Sequence, residues 1–130
     1  MFRLSTRADY GLILLSSLHC GAPQGKPFPI SAIAKKHKIS AKFLSQIAQD
    51  LKKAGILASK EGVLGGYTLA RSADKIRILD VLKVLEGKLV EGKCFEDEHE
   101  CKCGARDMWV EMKKQMEETI GKKTVADLVV

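Results

Sequence analysis

Apolar residues recur at helical spacing near the start of the chain. From about Thr6 to His19 they return every three or four positions, which places them on one face of an α-helix. The positions on this predicted face are Leu4, Ala8, Gly11, Leu12, Leu15 and Leu18. The segment 21–29 that follows holds all three prolines of the chain, so it is predicted to be a loop.

The next two apolar patterns are short and lie close together. Ser31 is predicted to cap a short helix that carries Ile33 and Ala34, and Ser40 to cap the helix after it. The second helix has apolar residues at i, i+3, i+4 and i+7, namely Leu44, Ile47, Ala48 and Leu51. Two short helices joined by a tight turn are typical of a helix-turn-helix, in which the second helix displays a polar face.

A β-hairpin is predicted directly after this pair of helices. Residues 56–59 and 67–69 can pair as strands, and the glycine-rich segment 60–66 between them permits a tight turn. A hairpin in this position is a wing, and the combination of helix pair and wing is more specific than either part. Another helix is predicted from Ile78 to Leu85.

A long helix is predicted from Ala105 to about Ile120. Its apolar stripe consists of Ala105, Met108, Trp109, Met112, Met116 and Ile120. Within a single chain, such a stripe packs on the core. The predicted fold class is therefore mainly α, a winged helix-turn-helix with a small β-hairpin wing and a long C-terminal helix.

The charge is distributed unevenly along the chain. Residues 1–72 carry 11 Lys and Arg against 3 Asp and Glu, a net charge of +8, whereas residues 73–130 carry a net charge of −2. A basic half joined to a mildly acidic half favours a polyanionic partner for the first. The longest apolar stretch, 11–18, is too short to span a bilayer. A secretory signal is the alternative interpretation of this region, but Asp9 and Tyr10 interrupt it, so we expect a cytoplasmic protein without membrane association.

The basic half supplies side chains suited to duplex DNA. Lysines neutralise phosphates and provide most of the affinity, while a few hydrogen-bonding side chains on a helix in the major groove read the bases. Gln46 is the best candidate reader, because Gln can form two hydrogen bonds with adenine. The predicted DNA-contacting residues are Ser40, Lys42, Ser45, Gln46, Gln49, Lys60, Gly65 and Gly66. The wing tip is expected to enter the minor groove through Lys60 or the glycine backbone. The alternatives are a merely solvated basic face and a winged helix used for protein docking.

Three of the four cysteines cluster in the acidic half. Cys94, Cys101 and Cys103 lie within ten positions, with an acidic segment between the first two. A cytosolic chain seldom clusters cysteines for structural disulfides, so metal or redox chemistry is favoured. Thiolates are soft ligands that suit zinc, copper(I) and iron–sulfur clusters, but the spacing is not that of a zinc finger. The alternative is three exposed thiols without a ligand.

Four segments resemble the Rrf-two family of winged-helix transcriptional regulators, which includes IscR-like and NsrR-like proteins. They are residues 2–12, residues 39–47 followed by 51–57, the glycine-rich wing 62–69 and the C-terminal segment 124–129. The resemblance covers nearly the whole chain in order. It implies a homodimer that binds a palindromic DNA operator, with the C-terminal helix as the dimer interface. The implied division is a DNA-binding domain at 1–85, a cysteine-containing sensor loop at 86–103, and a dimerisation helix with the C-terminal segment at 104–130.

The resemblance also implies a cofactor. Family members with three cysteines in this loop hold a two-iron or four-iron sulfur cluster, so Cys94, Cys101 and Cys103 are the expected ligands. Arg106 occupies the position of a ligating His in IscR-like members, and a guanidinium cannot bind iron. The fourth ligand is then expected from Asp9 of the partner subunit, as in NsrR-like members, or from His99.

The sensing function has two rivals. One is a cluster-free regulator in which Cys94 forms a disulfide with Cys101 or Cys103, and the other is a small iron–sulfur electron carrier. Enzymatic activity is not expected, because no nucleophile–base grouping, phosphate-binding loop or pair of catalytic carboxylates can be assigned.

Overall fold

The computed structural model describes residues 5–21, 26–87 and 104–129. Within these ranges the chain is mainly helical, with one two-stranded antiparallel sheet, which confirms the predicted fold class. The elements in order are α1 (Thr6–Cys20), α2 (Ile30–His37), α3 (Ala41–Lys53), β1 (Leu57–Lys60), β2 (Gly66–Leu69), α4 (Ile78–Glu86) and α5 (Gly104–Gly121). No helix in the described part of the chain is both long and apolar enough to cross a membrane.

The helix-turn-helix is formed by α2, a short turn and α3. Lys38 ends α2 in the left-handed conformation, with φ 56° and ψ 45°. Its N–H donates to carbonyls of the last helical turn, which satisfies groups that the helix end leaves open. The Ser40 hydroxyl accepts a hydrogen bond from the Phe43 N–H at 3.3 Å, so the predicted cap of α3 is confirmed.

The predicted start of α2 is wrong by two residues. The N-cap is Pro29, with no side-chain cap, and Ser31 lies inside the helix. Ile30 is buried together with Ile33 and Ala34, so the helix begins early enough to include it in the core face. The fixed φ of proline suits this entry to the helix.

The wing is attached to the rest of the protein through Phe28. Strand β1 pairs with β2 in the register Leu57↔Leu69 to Lys60↔Gly66. Phe28 and Tyr67 exchange two backbone hydrogen bonds of 2.9 and 3.0 Å, so the residue before the N-cap of α2 pairs with β2. Gly66 has φ 148°, and a Cβ there would lie 2.4 Å from the Phe28 oxygen. Only glycine permits both this backbone conformation and this close approach.

One hydrophobic core joins the helices of the N-terminal part with the C-terminal segment. Its largest fully buried side chains are Leu14, Leu15, Ile33, Leu44, Ile47, Leu51, Ile56, Ile76, Val81 and Val125. Val125 enters this core because the Val125 N–H donates to the Ile76 carbonyl at 2.9 Å and the Ile78 N–H donates to the Lys123 carbonyl at 3.1 Å. The chain therefore returns after α5 to the start of α4. The predicted domain boundaries stay a prediction.

Helix α1 packs closely against the end of α4. A Cβ on Gly11 would lie 2.2 Å from Leu85 Cδ1, so the absence of a side chain lets the two helices approach. At the same end, the Arg7 guanidinium donates to the Leu85 carbonyl at 3.1 Å and to the Asp50 carboxylate at 2.7 Å. Arg7 thus connects α1, α3 and α4.

Candidate nucleic-acid interface

Helix α3 separates an apolar face from a polar one. Leu44, Ile47, Ala48 and Leu51 are buried, as the spacing predicted. Lys42, Gln46 and Gln49 are exposed, and Ser45 is half-buried. The candidate base-reading and phosphate-binding side chains therefore lie on the side of α3 that faces away from the core.

Two contacts from α1 hold α3 in place. The rings of Tyr10 and Phe43 meet edge to face, with centroids 5.7 Å apart and an angle of 77° between their planes. The ion pair between Arg7 and Asp50 lies further along α3. Aromatic pairs of this geometry and paired charges both fix orientation as well as adding stability. The polar face of α3 is thus presented on a supported helix.

A recess of about 570 Å³ lies between the C-terminal half of α3 and the wing. It is lined by Gln49, Lys52, Lys53, Ser59, Lys60, Glu61, Gly66 and Tyr67. The Lys52 ammonium donates to the Ser59 hydroxyl at 2.5 Å, which links the helix to strand β1. Three of the lining residues are lysines and one, Glu61, is acidic. Helix and wing therefore contribute to one basic surface, which has the charge that a phosphate backbone requires.

The entry of the wing into the minor groove through Lys60 or the glycine backbone stays a prediction, and the structure places two further side chains at the turn of the wing. Lys60 belongs to β1 and sits at the base of the turn, which the Gly65 N–H closes by donating to the Gly62 carbonyl at 3.0 Å. The most exposed large apolar side chains among the described residues are Val63 and Leu64 in this turn, which are 103% and 89% exposed. Periodicity missed them, since two apolar residues among glycines fit neither a helical nor a strand pattern. Their position inside a glycine-rich turn was the available signal.

The predicted cysteine site lies outside the described residues. This applies to Cys94, Cys101, Cys103 and the alternative ligand His99. Asp9 is described: it is exposed on α1 and lines a groove of about 450 Å³ between α1 and α2. Over residues 5–21, 26–87 and 104–129, no three His, Cys, Asp or Glu side chains come together as a metal site would require.

Helix α5 has no buried residue among those described. Met108 is 55%, Val110 44% and Met116 36% exposed. Of the predicted stripe, Ile120 packs at the margin of the core and Trp109 is half-buried. Half of the predicted stripe is thus exposed, and the other half is half-buried. The exposed residues are Ala105, Met108 and Met116, and the half-buried ones are Trp109, Met112 and Ile120.

Comparison with known proteins gives consistent matches over the whole chain. Residues 4–130 match the family model described as Rrf2, iron-dependent transcriptional regulator. The transcriptional regulator CymR of Bacillus subtilis is 31% identical over 97% of this chain and 88% of its own length. The solved structure of CymR, the global cysteine regulator of B. subtilis, has a TM-score of 0.83 at 30% identity and covers 98% of this chain and 96% of that one. The structure of T. potens IscR has a TM-score of 0.75 at 31% identity, with 98% and 85% covered.

Proposed function

Because the chain belongs to the Rrf2 family and is a DNA-binding transcriptional regulator, not an enzyme, we propose that it is a homodimer that reads a palindromic operator and senses a chemical signal through its cysteines. The observation that carries the DNA-binding geometry is the shared basic surface of α3 and the wing, joined by the contact from Lys52 to Ser59. Helix α3 enters the major groove, and the wing reaches the neighbouring minor groove.

The roles along α3 follow from its exposed face. Gln46 bonds an adenine edge, with Gln49 and Ser45 beside it, and Lys42 binds a phosphate. Ser40 is committed to the cap through its oxygen, but its hydroxyl proton is available to a phosphate. At the wing, Lys60 binds the phosphate backbone of the DNA, while Gly65 and Gly66 allow the tight turn of the hairpin.

Dimerisation is proposed through α5. This helix has 18 residues, none of those described is buried, and Met108 and Met116 are exposed. Most helices are stabilised by packing of an apolar face, and a second α5 supplies one. A twofold dimer presents two α3 helices to half-sites one helical turn apart, or a multiple of it, which matches a palindromic operator.

Sensing is proposed through Cys94, Cys101 and Cys103, with Asp9 of the partner subunit or His99 as the fourth ligand. A set of three thiolates suits an iron–sulfur cluster, which when bound adds reactivity toward oxidants and nitric oxide. The described residues offer a connection to the DNA-binding surface: Arg7 bonds both Leu85, near the end of α4, and Asp50 on α3. A change that shifts the end of α4 therefore acts on a residue that also holds α3. Ligand state and DNA affinity are coupled if the two arrangements differ in affinity.

A cluster-free thiol switch is the second candidate. It is supported by the likeness to a solved structure described as the oxidized form of Staphylococcus aureus CymR, and a disulfide needs no iron. Anaerobic purification followed by visible absorption and iron and sulfide assays separates the two. A coloured protein with bound iron and sulfide supports the cluster. A colourless protein that resists reconstitution, and that forms a disulfide under oxidant by mass spectrometry, supports the switch.

DNA binding is tested with duplexes that the protein itself enriches from a random-sequence pool. Gln46→Ala is expected to relax preference at one base pair, where a good bidentate contact contributes about 1–3 kcal/mol of discrimination. Lys42→Ala is expected to weaken all duplexes alike and to reduce the slope of log affinity against log salt by about 1.

The matched control is Lys114→Ala, which removes one exposed positive charge from α5. It is expected to leave the selected sequence and the salt slope unchanged. If neither Gln46→Ala nor Lys42→Ala alters binding, α3 is not the helix that contacts DNA.

A further inference from the structure

The tip of the wing carries two adjacent, fully accessible aliphatic side chains. Val63 and Leu64 are 103% and 89% exposed, compared with 55% for Met108, the most exposed large apolar residue of α5. Single exposed apolar residues are ordinary on protein surfaces. Two adjacent exposed residues at the end of a hairpin form a small apolar tip. This tip loses no contacts within the protein when it packs against another surface.

The backbone holds this tip in a defined orientation. Residues 62–65 form a turn closed by the hydrogen bond from the Gly65 N–H to the Gly62 carbonyl. A Cβ on Gly65 would lie 2.2 Å from the Lys60 oxygen, so the turn folds tightly onto the end of β1. Below it, the Phe28–Tyr67 backbone pair fixes the hairpin to the protein. A tip built in this way is preorganised for insertion.

The surroundings of the tip identify the surface it enters. Lys60 lies at the base of the turn, and Lys52 and Lys53 line the recess beside it, with Glu61 as the acidic exception. An apolar tip flanked by lysines fits a groove of duplex DNA. The lysines bind the sugar-phosphate backbones on either side, and the tip enters the groove between them. An apolar protein surface would be complementary to the tip but not to the lysines.

We infer that Val63 and Leu64 form an apolar wedge that enters the minor groove of the operator and opens a base step there. This inference rests on the proposed function. Aliphatic side chains have no hydrogen bonds to offer base edges, so the wedge acts by packing on sugars and partly unstacking neighbouring bases. Opening is easiest at pyrimidine–purine steps such as TA and CA. The wing then selects DNA sequences by the deformability of their base steps, whereas α3 selects them by hydrogen bonds to base edges.

The test uses duplexes enriched by the unaltered protein from a random pool, with 2-aminopurine placed at successive positions flanking the α3 sites. Binding is expected to raise the fluorescence at one flanking step, because unstacking relieves quenching, and to shorten the end-to-end distance measured by energy transfer. The double substitution Val63→Ser with Leu64→Ser is expected to abolish the fluorescence rise and the bend. It is also expected to lower affinity roughly tenfold, the scale set by burial of one apolar side chain. Selection repeated with this variant should lose the TA or CA preference at the flank and keep the α3 positions.

Two control variants distinguish the effect of apolar insertion from the effects of positive charge and of side-chain shape. Lys60→Ala is expected to weaken binding with a smaller salt slope but to keep the fluorescence rise. Leu64→Met retains an apolar tip and is expected to keep both signals. Because the side chains of Val63 and Leu64 contact little of the protein, the serine variants should fold normally, which circular dichroism checks.

The outcomes that overturn the wedge differ from those that overturn the proposed function. A serine variant that binds, bends and unstacks DNA like the original shows that the tip is not a wedge. The wedge is equally excluded if the serines leave DNA binding unchanged but alter sedimentation, since the tip then meets a second copy of the chain. A folded original protein that enriches no duplex at all contradicts DNA binding itself.

Discussion

The N-terminal helices and α5 show the same helical spacing of apolar residues, but these residues are buried to different extents. Helix α3 places four side chains in the core, and α5, with 18 residues, places none there among those described. Packing partners account for the difference: α1, α2 and α4 all pack against α3, whereas among the described elements α5 packs mainly against α4. An apolar stripe in a sequence therefore predicts that one face of a helix is buried, but it does not identify the surface that packs against that face. Four sets of substitutions test this contrast.

Leu44→Ala is expected to cause the largest loss. Leu44 is fully buried in α3, and truncating a buried leucine costs about 2–5 kcal/mol through lost transfer energy and the cavity it leaves. Urea unfolding measures the loss. The cost should not depend on protein concentration, since the side chain packs within one chain. A loss below about 1 kcal/mol would mean that α3 is poorly packed.

Met108→Ala is expected to weaken the proposed dimer. Full burial of a methionine contributes about 1.5–3 kcal/mol, which corresponds to a tenfold or greater rise in the dissociation constant. Analytical ultracentrifugation measures that constant.

Val110→Ala is the matched control, because Val110 is also exposed but lies two residues on, about 200° around the helix. It should leave the dissociation constant unchanged. The opposite result, with only Val110→Ala weakening the dimer, would assign the interface to the other face of α5.

Gly66→Ala tests whether packing within the chain fixes the wing. The new Cβ would lie 2.4 Å from the Phe28 oxygen, in addition to the strain of φ 148°. Gly62 provides the comparison, since its φ is also positive, at 111°, but nothing lies within 4 Å of a Cβ there. The free energy of unfolding should fall by about 1–3 kcal/mol more for Gly66→Ala than for Gly62→Ala. Equal losses would show that the contact with Phe28 does not constrain the wing.

The smallest effect is expected from the ion pair between Arg7 and Asp50. Both side chains are partly exposed, 35% and 40%, so solvent screens the pair and its coupling should be about 0.2–1 kcal/mol. A double-mutant cycle with Arg7→Gln and Asp50→Asn measures this coupling, and it should shrink as salt is raised. A coupling that salt does not change would indicate a contact other than charge pairing.

Local patterns were sufficient to predict the helix-turn-helix. The spacing of Leu44, Ile47 and Leu51, the cap at Ser40 and the glycines of the wing act within a few residues of one another, and the structure confirms the elements they predict. The start of α2 was missed because burial of Ile30 outweighed the capping preference of Ser31. The capping preference of a serine therefore decides where a helix starts only if burial of the neighbouring apolar residues is compatible with that start.

Contacts between distant residues could not be predicted from local patterns. Arg7 meets Asp50 and Leu85, which are 43 and 78 positions away, and nothing in the periodicity of α1 indicates either partner. The exposed tip at Val63 and Leu64 was missed for a related reason, since exposure depends on where the hairpin points. The cysteine ligands, the cofactor and the palindromic operator stay predictions.

The return of the chain to the core at Val125 has a consequence for biosynthesis. This fully buried valine completes a core whose other members lie between residues 14 and 85, so the ribosome supplies it last. Helices α1 to α4 thus acquire their final packing only after α5 has been translated. We expect a nascent chain that lacks this valine to hold α3 less firmly, and therefore to bind DNA more weakly, than the finished protein.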